Sequence, residues 1–248
     1  MLDKNQDAIP NSVNDIVNSI LSNAPQTDEK MVRLPSLGAI YGLNQDYVTV
    51  RAMTFDDEKA LLNAKKPSDA INMLISRCVK ENINPRDMIA QDKMFIVVNI
   101  RTLSVGNNYD LIITCGNCGH QNDVKIDVIN TFPCDYPDEP ISNTVEFELP
   151  VLKKKVVVRR ATSSELEMPT PQLLEKLWQF VISIDGKSDG QIRHAVMQRI
   201  PRKDAHEIIK NLGCQGIGLD TRFMLTCENC QSEEVHNIAF NEDFFTMK

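Results

Sequence analysis

The chain has 248 residues, of which 42% are apolar and 25% charged, and its formal net charge is -7. The apolar content is enough for a folded core, while the acidic balance argues against a nucleic-acid partner, since phosphate binding needs clustered Lys and Arg. The sequence has neither an apolar run of about 18 residues nor a leader pattern, so we expect no membrane association and no export.

An amphipathic helix is predicted near the start of the chain, in a segment otherwise rich in Asn, Asp, Ser and Gln. Apolar residues recur there at the spacing of one helical face: Val13, Ile16, Val17, Ile20 and Leu21. We assign residues 1–30 to a flexible arm that carries this helix. Two interpretations stay open, because the helix could pack on its own domain or dock onto a partner protein.

Residues 31–130 are predicted to form a first α+β half. Thr54, followed three positions later by Asp57, has the pattern of a capping box that begins a helix. The other elements follow in order: an extended, turn-rich segment at 32–42, a strand at 47–51, helices after Thr54, at 67–80 and from Pro85 through 94–100, and strands at 109–114 and 124–128. This half therefore runs strand, helices, β-hairpin.

Residues 131–150 are predicted to be a connector rich in Pro and acidic residues that ends in a strand. Residues 151–248 form a second half that repeats the order of the first. Its predicted elements are a strand at 156–159, helices at 173–181 and 191–199, a turn at 184–190, and two strands that flank a second cysteine motif.

The motif V-x-V-R-x-x-T occurs in both halves and indicates an internal duplication. Arg159 and Thr162 lie 108 positions after Arg51 and Thr54, respectively. Chance agreement is the alternative, because short Val-rich strands are common in mixed domains.

Two C-x-x-C pairs lie far apart, in T-C-G-N-C-G-H at 114–120 and in T-C-E-N-C-Q at 226–231. Each stands between two strand-like runs, which is the pattern of a zinc-ribbon knuckle, where a hairpin turn directs two thiolates at one metal. A closed tetrahedral zinc site needs four ligands, so each pair supplies half a site. We therefore predict one shared, structural zinc site with these ligands: Cys115, Cys118, Cys227 and Cys230.

The separation of the pairs is unusual for a zinc ribbon. About 15 to 20 residues separate the pairs of a compact site, whereas 108 residues, 119 to 226, separate them here. A duplication explains this spacing, because each half then contributes one knuckle and the metal ties the halves together.

Other thiol chemistry remains open. An iron–sulfur cluster is also bound by thiolates, and a redox pair is a further alternative, although in thioredoxin-like proteins such a pair begins a helix rather than preceding a strand. His120 could replace a cysteine ligand but is interpreted as a solvated turn residue. Cys78, Cys134 and Cys214 lack a C-x-x-C partner and are interpreted as small apolar residues. For Cys214 an alternative stays open, because the G-C-Q-G-I-G segment before the second knuckle could bring it near the metal.

Catalytic signatures are missing from the sequence, which contains no H-E-x-x-H, G-x-S-x-G, Walker loop or G-x-G-x-x-G. Four thiolates also close a zinc ion to catalytic water. The predicted fold class is therefore α+β, with two related halves that share one zinc-ribbon-like site and an N-terminal helical arm. The predicted function is non-enzymatic interaction or assembly, with a thiol redox protein as the alternative.

Several motifs in order resemble one known family over about residues 33–128. They are L-P-S-L-G-A-I-Y-G, V-x-V-R-x-M-T-x-x-D-E, R-x-L-S-x-G at 101–106 and C-G-N-C-G-H. This combination is similar to the baseplate hub and hub-assembly proteins of T-even-type contractile-tailed bacteriophages. Cys115 and Cys118 match the family's knuckle, and its L-P-S-x-G segment falls on 34–38. The chain departs from the family where Gly42 follows Tyr41, since a second proline is usual there.

The resemblance implies a role in virion morphogenesis. The chain would be a structural subunit of the central hub or a chaperone-like assembly factor that leaves it. Its partners would be other baseplate hub proteins, and its location the host cytoplasm during assembly and, for a subunit, the tail baseplate of the virion. Neither the resemblance nor the residues indicate an oligomeric state.

Overall fold

The structure, a computed structural model, describes residues 13–21, 28–41, 46–238 and 244–245. These residues form a mixture of helices and small antiparallel sheets, which confirms a mixed α and β architecture. The helices are α1 (Val13–Leu21), α2 (Phe55–Leu62), α3 (Pro67–Cys78), α4 (Ala90–Val105), α5 (Ser163–Leu166), α6 (Thr170–Phe180), α7 (Gly190–Met197) and α8 (Arg202–Leu212). The strands are β1 (Glu29–Arg33), β2 (Tyr47–Arg51), β3 (Asn108–Thr114), β4 (Gln121–Asp127), β5 (Cys134–Asp135), β6 (Thr144–Glu148), β7 (Lys155–Arg159), β8 (Val181–Ile184), β9 (Gly218–Leu219), β10 (Arg222–Thr226) and β11 (Glu233–Asn237).

The first strand pair, β1 and β2, is antiparallel, with Glu29 opposite Arg51. Side chains alternate across a strand, so the sequence Y-V-T-V-R buries Val48 and Val50 and exposes Tyr47. The strand predicted at 47–51 is thus confirmed, and its buried face packs into a hydrophobic cluster with α3 and α4.

The predicted capping box at the start of α2 is also confirmed. The Thr54 side chain accepts a hydrogen bond from the backbone N–H of Asp57, and the Asp57 carboxylate accepts one from the backbone N–H of Thr54. That carboxylate is buried and contacts two guanidinium groups, at 2.7 Å from Arg51 and 2.5 Å from Arg77. Hydrogen bonds and ion pairs of Asp57 therefore connect the end of β2 with the start of α2 and with α3.

The second occurrence of the motif builds a similar local structure. β7 lies between β6 and β8 and buries Val156 and Val158. Thr162 and Glu165 form a second capping box, at the start of α5. Arg159 donates from both terminal nitrogens to the Glu165 carboxylate, at 2.9 and 2.7 Å. These parallels support the predicted duplication, which stays a prediction, as does the division of the chain at 31–130, 131–150 and 151–248.

Two hydrophobic clusters form the core. The second contains buried residues from Leu149 to Leu212. The first contains residues of β1 to β4 and of α2 to α4, together with Ile238, Phe244 and Phe245 from far along the chain. Arg101, buried in α4, donates from Nε to the Phe244 carbonyl at 3.1 Å. The first cluster therefore includes residues that the sequence assigned to the second half.

The L-P-S-x-G segment is held by a buried carboxylate of α4. The backbone N–H of Ser36 donates to Asp92 Oδ1 at 2.8 Å, and the Tyr41 hydroxyl donates to Asp92 Oδ2 at 2.7 Å. Burial raises the pKa of Asp92, although these hydrogen bonds oppose the shift. The contacts fix residues 34–38 against α4.

Helix α4 also joins the two clusters. Lys93, which is buried, donates from Nζ to the Ser163 hydroxyl at 2.9 Å, and the backbone N–H of Ser163 donates to the Met88 carbonyl at 2.7 Å. Gly218 crosses the start of α4 with a φ of +87°, where a Cβ would lie 2.9 Å from Cβ of Gln91. Gly218 is the first residue of β9, which pairs with β5.

Several predicted helix boundaries differ from the structure. Pro85 begins a single 3-10 turn (Pro85–Asp87), and α4 starts only at Ala90, because Met88 and Ile89 have extended backbone. α6 ends at Phe180, since Val181 begins β8 and pairs with β7. Helix α8 was not predicted from the sequence.

The predicted N-terminal helix is present as α1. Its apolar side chains Ile16, Val17 and Ile20 are exposed, with Ile20 at 68%. The rest of the predicted arm, at 1–12 and 22–27, lies outside the described residues. Within the described ranges, no helix is both long and apolar enough to cross a membrane.

Candidate metal centre

The first cysteine pair lies at the tip of the β3–β4 hairpin. The backbone N–H of Cys115 donates to the His120 carbonyl at 2.8 Å, and the N–H of Gly119 donates to the Cys115 carbonyl at 3.0 Å. Gly119 has a φ of +74°, in the left-handed region that glycine adopts readily. This turn folds the chain back and places Cys115, which is buried, and Cys118, which is exposed, at the hairpin tip.

The second pair lies at the tip of the β10–β11 hairpin and repeats these bonds. Cys227 N–H donates to the Ser232 carbonyl at 2.9 Å, and Gln231 N–H donates to the Cys227 carbonyl at 3.0 Å. Gln231 also has a positive φ, +57°, although it is not glycine. The two knuckles therefore have the same backbone path.

The hairpin tips bring the four predicted ligands together. All four Sγ atoms lie within 4.8 Å of one another. The Cys115–Cys230 and Cys118–Cys227 sulfur distances are 3.7 and 3.6 Å. A regular tetrahedron with Zn–S bonds of about 2.3 Å has edges of about 3.8 Å, whereas a disulfide bond is about 2.0 Å long. The sulfur spacing therefore fits four ligands around one ion and not a pair of disulfides.

Contacts across the site are reciprocal. Asn117 Nδ2 donates to Cys230 Sγ at 3.5 Å, and Asn229 Nδ2 donates to Cys118 Sγ at 3.6 Å. Hydrogen bonds to sulfur from the opposite knuckle orient the ligands, as outer contacts do in known metal sites. Each knuckle thus helps to place a sulfur of the other.

Two strand residues next to the knuckles extend this reciprocity. Asn122 Oδ1 accepts from the backbone N–H of Glu228 at 2.9 Å, and Glu234 Oε1 accepts from the backbone N–H of Gly116 at 3.0 Å. Asn122 and Glu234 are 112 positions apart, as are Gly116 and Glu228. The knuckles are therefore related by an approximate two-fold arrangement around the sulfur cluster.

Hydrogen bonds favour the thiolate form at the second knuckle. The hydroxyl and backbone N–H of Ser232, together with the Asn117 side chain, lower the pKa of Cys230 to about 5. The backbone N–H groups of Cys230 and Asn229 lower the pKa of Cys227. Thiolates are the form of cysteine that binds metal.

The pKa of Cys118 moves the opposite way. The His120 backbone N–H and the Asn229 side chain favour its thiolate, but burial and the contacts with Cys230 and Cys227 outweigh them, and the pKa rises to about 11. Crowded thiols resist the accumulation of negative charge. A cation bound between the four sulfurs would offset the repulsion between their negative charges, so this set of donors suits a bound metal.

The other sequence candidates lie outside this cluster. Within the described residues, Cys78, Cys134 and Cys214 are not part of a metal-ligand group, and Cys78 and Cys214 are buried. His120 contributes its backbone carbonyl to the turn. Sequence reasoning missed Asn117 and Asn229, although the repeated C-x-N-C would have indicated them, and it missed Glu234.

Comparison with known proteins gives one match. A family model described as T4 bacteriophage base plate protein matches residues 27–246, which is most of the chain and includes both knuckles. No curated protein and no solved structure matches the chain.

Proposed function

The chain belongs to the T4 bacteriophage base plate protein family, and from this membership we propose that it acts without catalysis in the baseplate hub, as a subunit or as a hub assembly factor. It works through contacts with other hub proteins, in the host cytoplasm during assembly and, as a subunit, in the tail baseplate of the virion. The family match over residues 27–246 is the observation that carries this proposal.

The proposed role of the four cysteines is to hold one structural zinc ion. Support comes from the sulfur spacing and from the strands β4 and β11, since each pair precedes a strand and not the helix that follows a thioredoxin-like redox pair. Bound zinc supplies a link between the two hairpins that the unfolded chain lacks. With four thiolate ligands the site is closed to substrate.

The zinc site is tested by metal analysis of the purified chain. We expect about one zinc per chain, and we expect Cys115→Ser and Cys227→Ser each to lose it, because either knuckle alone supplies half of the ligands. Cys134→Ser is the matched control and should retain the metal. Zinc kept by either knuckle variant would contradict a shared site, iron with visible absorption would favour a cluster, and metal-free thiols that cycle with a dithiol reductant would favour the redox alternative.

The hub role is tested in infected cells. A phage that lacks this chain should accumulate baseplate intermediates without a complete hub, visible by electron microscopy of lysates, and infectious tails formed in its absence would refute the proposal. Mass spectrometry then separates the two roles. A subunit is found in purified particles and in lysate, whereas an assembly factor is found only in lysate.

A further inference from the structure

An open apolar groove lies between α6, α7 and α8, on the second cluster. Its volume is about 520 Å³, and its apolar lining includes Leu174, Trp178, Met197 and Ile200. Leu174 is 51% exposed, and no residue of α7 is buried. This volume lies within the range of about 300 to 1,000 Å³ that is usual for binding pockets. The groove therefore exposes apolar surface that a helix could cover.

Helix α1 carries an uncovered apolar face of the kind that fits such a groove. Ile16 and Ile20 are one helical turn apart and exposed, with Val17 beside them. Helices that bind in grooves use apolar anchors at this spacing. The chain thus contains both a groove and a helix with complementary chemistry.

The charges around these two surfaces are also complementary. Residues 1–28 contain four acidic residues and one lysine, a formal charge of -3. Residues 190–212, which span α7 and α8, contain five basic and two acidic residues, a formal charge of +3. Charge complementarity of this kind favours one pairing and speeds its formation.

We propose that α1 binds in the α6–α8 groove of a second copy of this chain. Within one copy Ile16, Val17 and Ile20 of α1 stay exposed. β1, the next described element, packs on the first cluster, while the groove lies on the second. Two copies that exchange α1 in this way form a closed, two-fold dimer in which each groove is filled. The proposal depends neither on the zinc site nor on the hub role.

The single tryptophan makes the test direct. Trp178 lines the groove and is the only tryptophan in the chain, so its fluorescence reports on groove occupancy. Sedimentation velocity of the full chain across the micromolar range should show a monomer–dimer equilibrium. Trp178 emission should shift to shorter wavelength as the dimer forms, and added salt should weaken the dimer because it screens the complementary charges. A monomer throughout this range would overturn the proposal.

Substitutions on each surface identify the contact. Ile20→Asp in α1 and Leu174→Glu in the groove change exposed side chains, so each variant should keep the melting temperature of the wild type at concentrations where the wild type is monomeric. Each should raise the dimer dissociation constant at least tenfold. Ile112→Asp, at a residue of β3 that is 69% exposed and lies on neither surface, is the control and should leave the dimer unchanged. A dimer that survives both surface variants would overturn the proposal.

Mixing the two variants distinguishes exchange between copies from docking within one copy. An Ile20→Asp chain has an intact groove, and a Leu174→Glu chain has an intact α1, so an equal mixture should form a mixed dimer of intermediate stability with one α1 engaged. If Ile20→Asp changes Trp178 emission in a chain that is always monomeric, α1 binds its own groove and the proposal of a second copy is wrong. The readouts are mass and emission, so the result is independent of metal content and phage assembly.

Discussion

The V-x-V-R-x-x-T motif forms the same hydrogen bonds twice, but at different depths in the protein. In the first half, Asp57 has 1% of its side chain exposed and contacts Arg51 and Arg77. In the second, Glu165 is 26% exposed and is held by a fork from Arg159. The motif determines the local hydrogen bonds, whereas the neighbouring elements determine how deeply the carboxylate is buried.

The neighbours explain this difference. In the first half, α3 supplies Arg77 to the shared carboxylate, so three elements meet at Asp57. In the second half, the guanidinium of Arg159 lies 4.4 Å from the ring centre of Phe180, at the end of α6. The third element therefore contacts the arginine, through a cation–π interaction, and not the carboxylate.

Removing the carboxylate charge of Asp57 or of Glu165 should give the largest difference in unfolding free energy between the two sites. Asp57→Asn should cost about 3 kcal/mol of unfolding free energy, because it leaves two guanidinium groups without their buried partner. Glu165→Gln should cost about 1 kcal/mol, since its pair is partly solvated. Urea unfolding of both variants measures the contrast. Equal losses would show that burial does not separate the two halves.

The loss of stability at low pH should also differ between the sites of Asp57 and Glu165. Burial by itself raises the pKa of Asp57, but Arg51, Thr54 and Arg77 outweigh it and hold that pKa well below its usual range. A lowered folded-state pKa gives stability that is complete above the unfolded pKa of about 4 and is lost as the pH falls below it, here on the order of 2 kcal/mol.

Urea unfolding at several pH values between 5 and 2 measures this loss. Asp57→Asn should flatten the profile, whereas Glu165→Gln should keep most of its slope, although the pKa of Glu165 is also lowered. Effects of acid on the thiols occur in all three proteins and cancel in the comparison. If Asp57→Asn left the dependence of unfolding free energy on pH unchanged, protonation of Asp57 would not be the cause of the loss.

The close approach of Gly218 to α4 can be tested with substitutions of two glycines. Gly218→Ala should cost about 2 kcal/mol, because its positive φ is strained for alanine and the new Cβ would lie 2.9 Å from Gln91 Cβ. Gly216 has a similar φ, +73°, but open space around it, so Gly216→Ala should cost only about 1 kcal/mol. Thermal melting measures both. If Gly216→Ala costs as much, close approach to α4 is not what requires Gly218.

The smallest effect concerns the two knuckle turns. Gly119→Gln should cost about 1 kcal/mol, because glutamine is strained at the φ of +74°. Gln231→Gly relieves the equivalent strain but adds freedom to the unfolded chain, so the net change should stay within about 0.5 kcal/mol. Chemical unfolding of the zinc-loaded chain checks both. A large loss in Gln231→Gly would mean that the glutamine side chain itself supports the turn.

Local patterns were sufficient to predict β2, β7, the capping box at Thr54 and the pairing of the cysteine motifs. Each depends on a few adjacent residues whose chemistry allows few structures, such as a thiolate pair that needs a second pair. The same reasoning predicted α1 as a helix. It could not determine whether its apolar face is covered, because exposure depends on the rest of the molecule.

Features that depend on distant contacts and carry no local sequence motif were not predictable. β5 and β9 are two residues each and pair Cys134 with Leu219, a contact between segments that no local pattern connects. The end of α6 is fixed by the pairing of Val181 with β7, since the apolar run itself would also suit a longer helix. Glu234 reaches Gly116 in the other knuckle, and a lone glutamate in a strand gives no signal of that contact.

The position of Phe244 in the first cluster has a consequence for synthesis on the ribosome. This core begins with Val32 in β1, yet Phe244 fills it more than 200 positions later and is held there by Arg101. Loop closure over such a separation makes folding slower. The first core thus remains incomplete while the second is translated. A chain interrupted before these residues would present its unfilled apolar surface to chaperones and proteases.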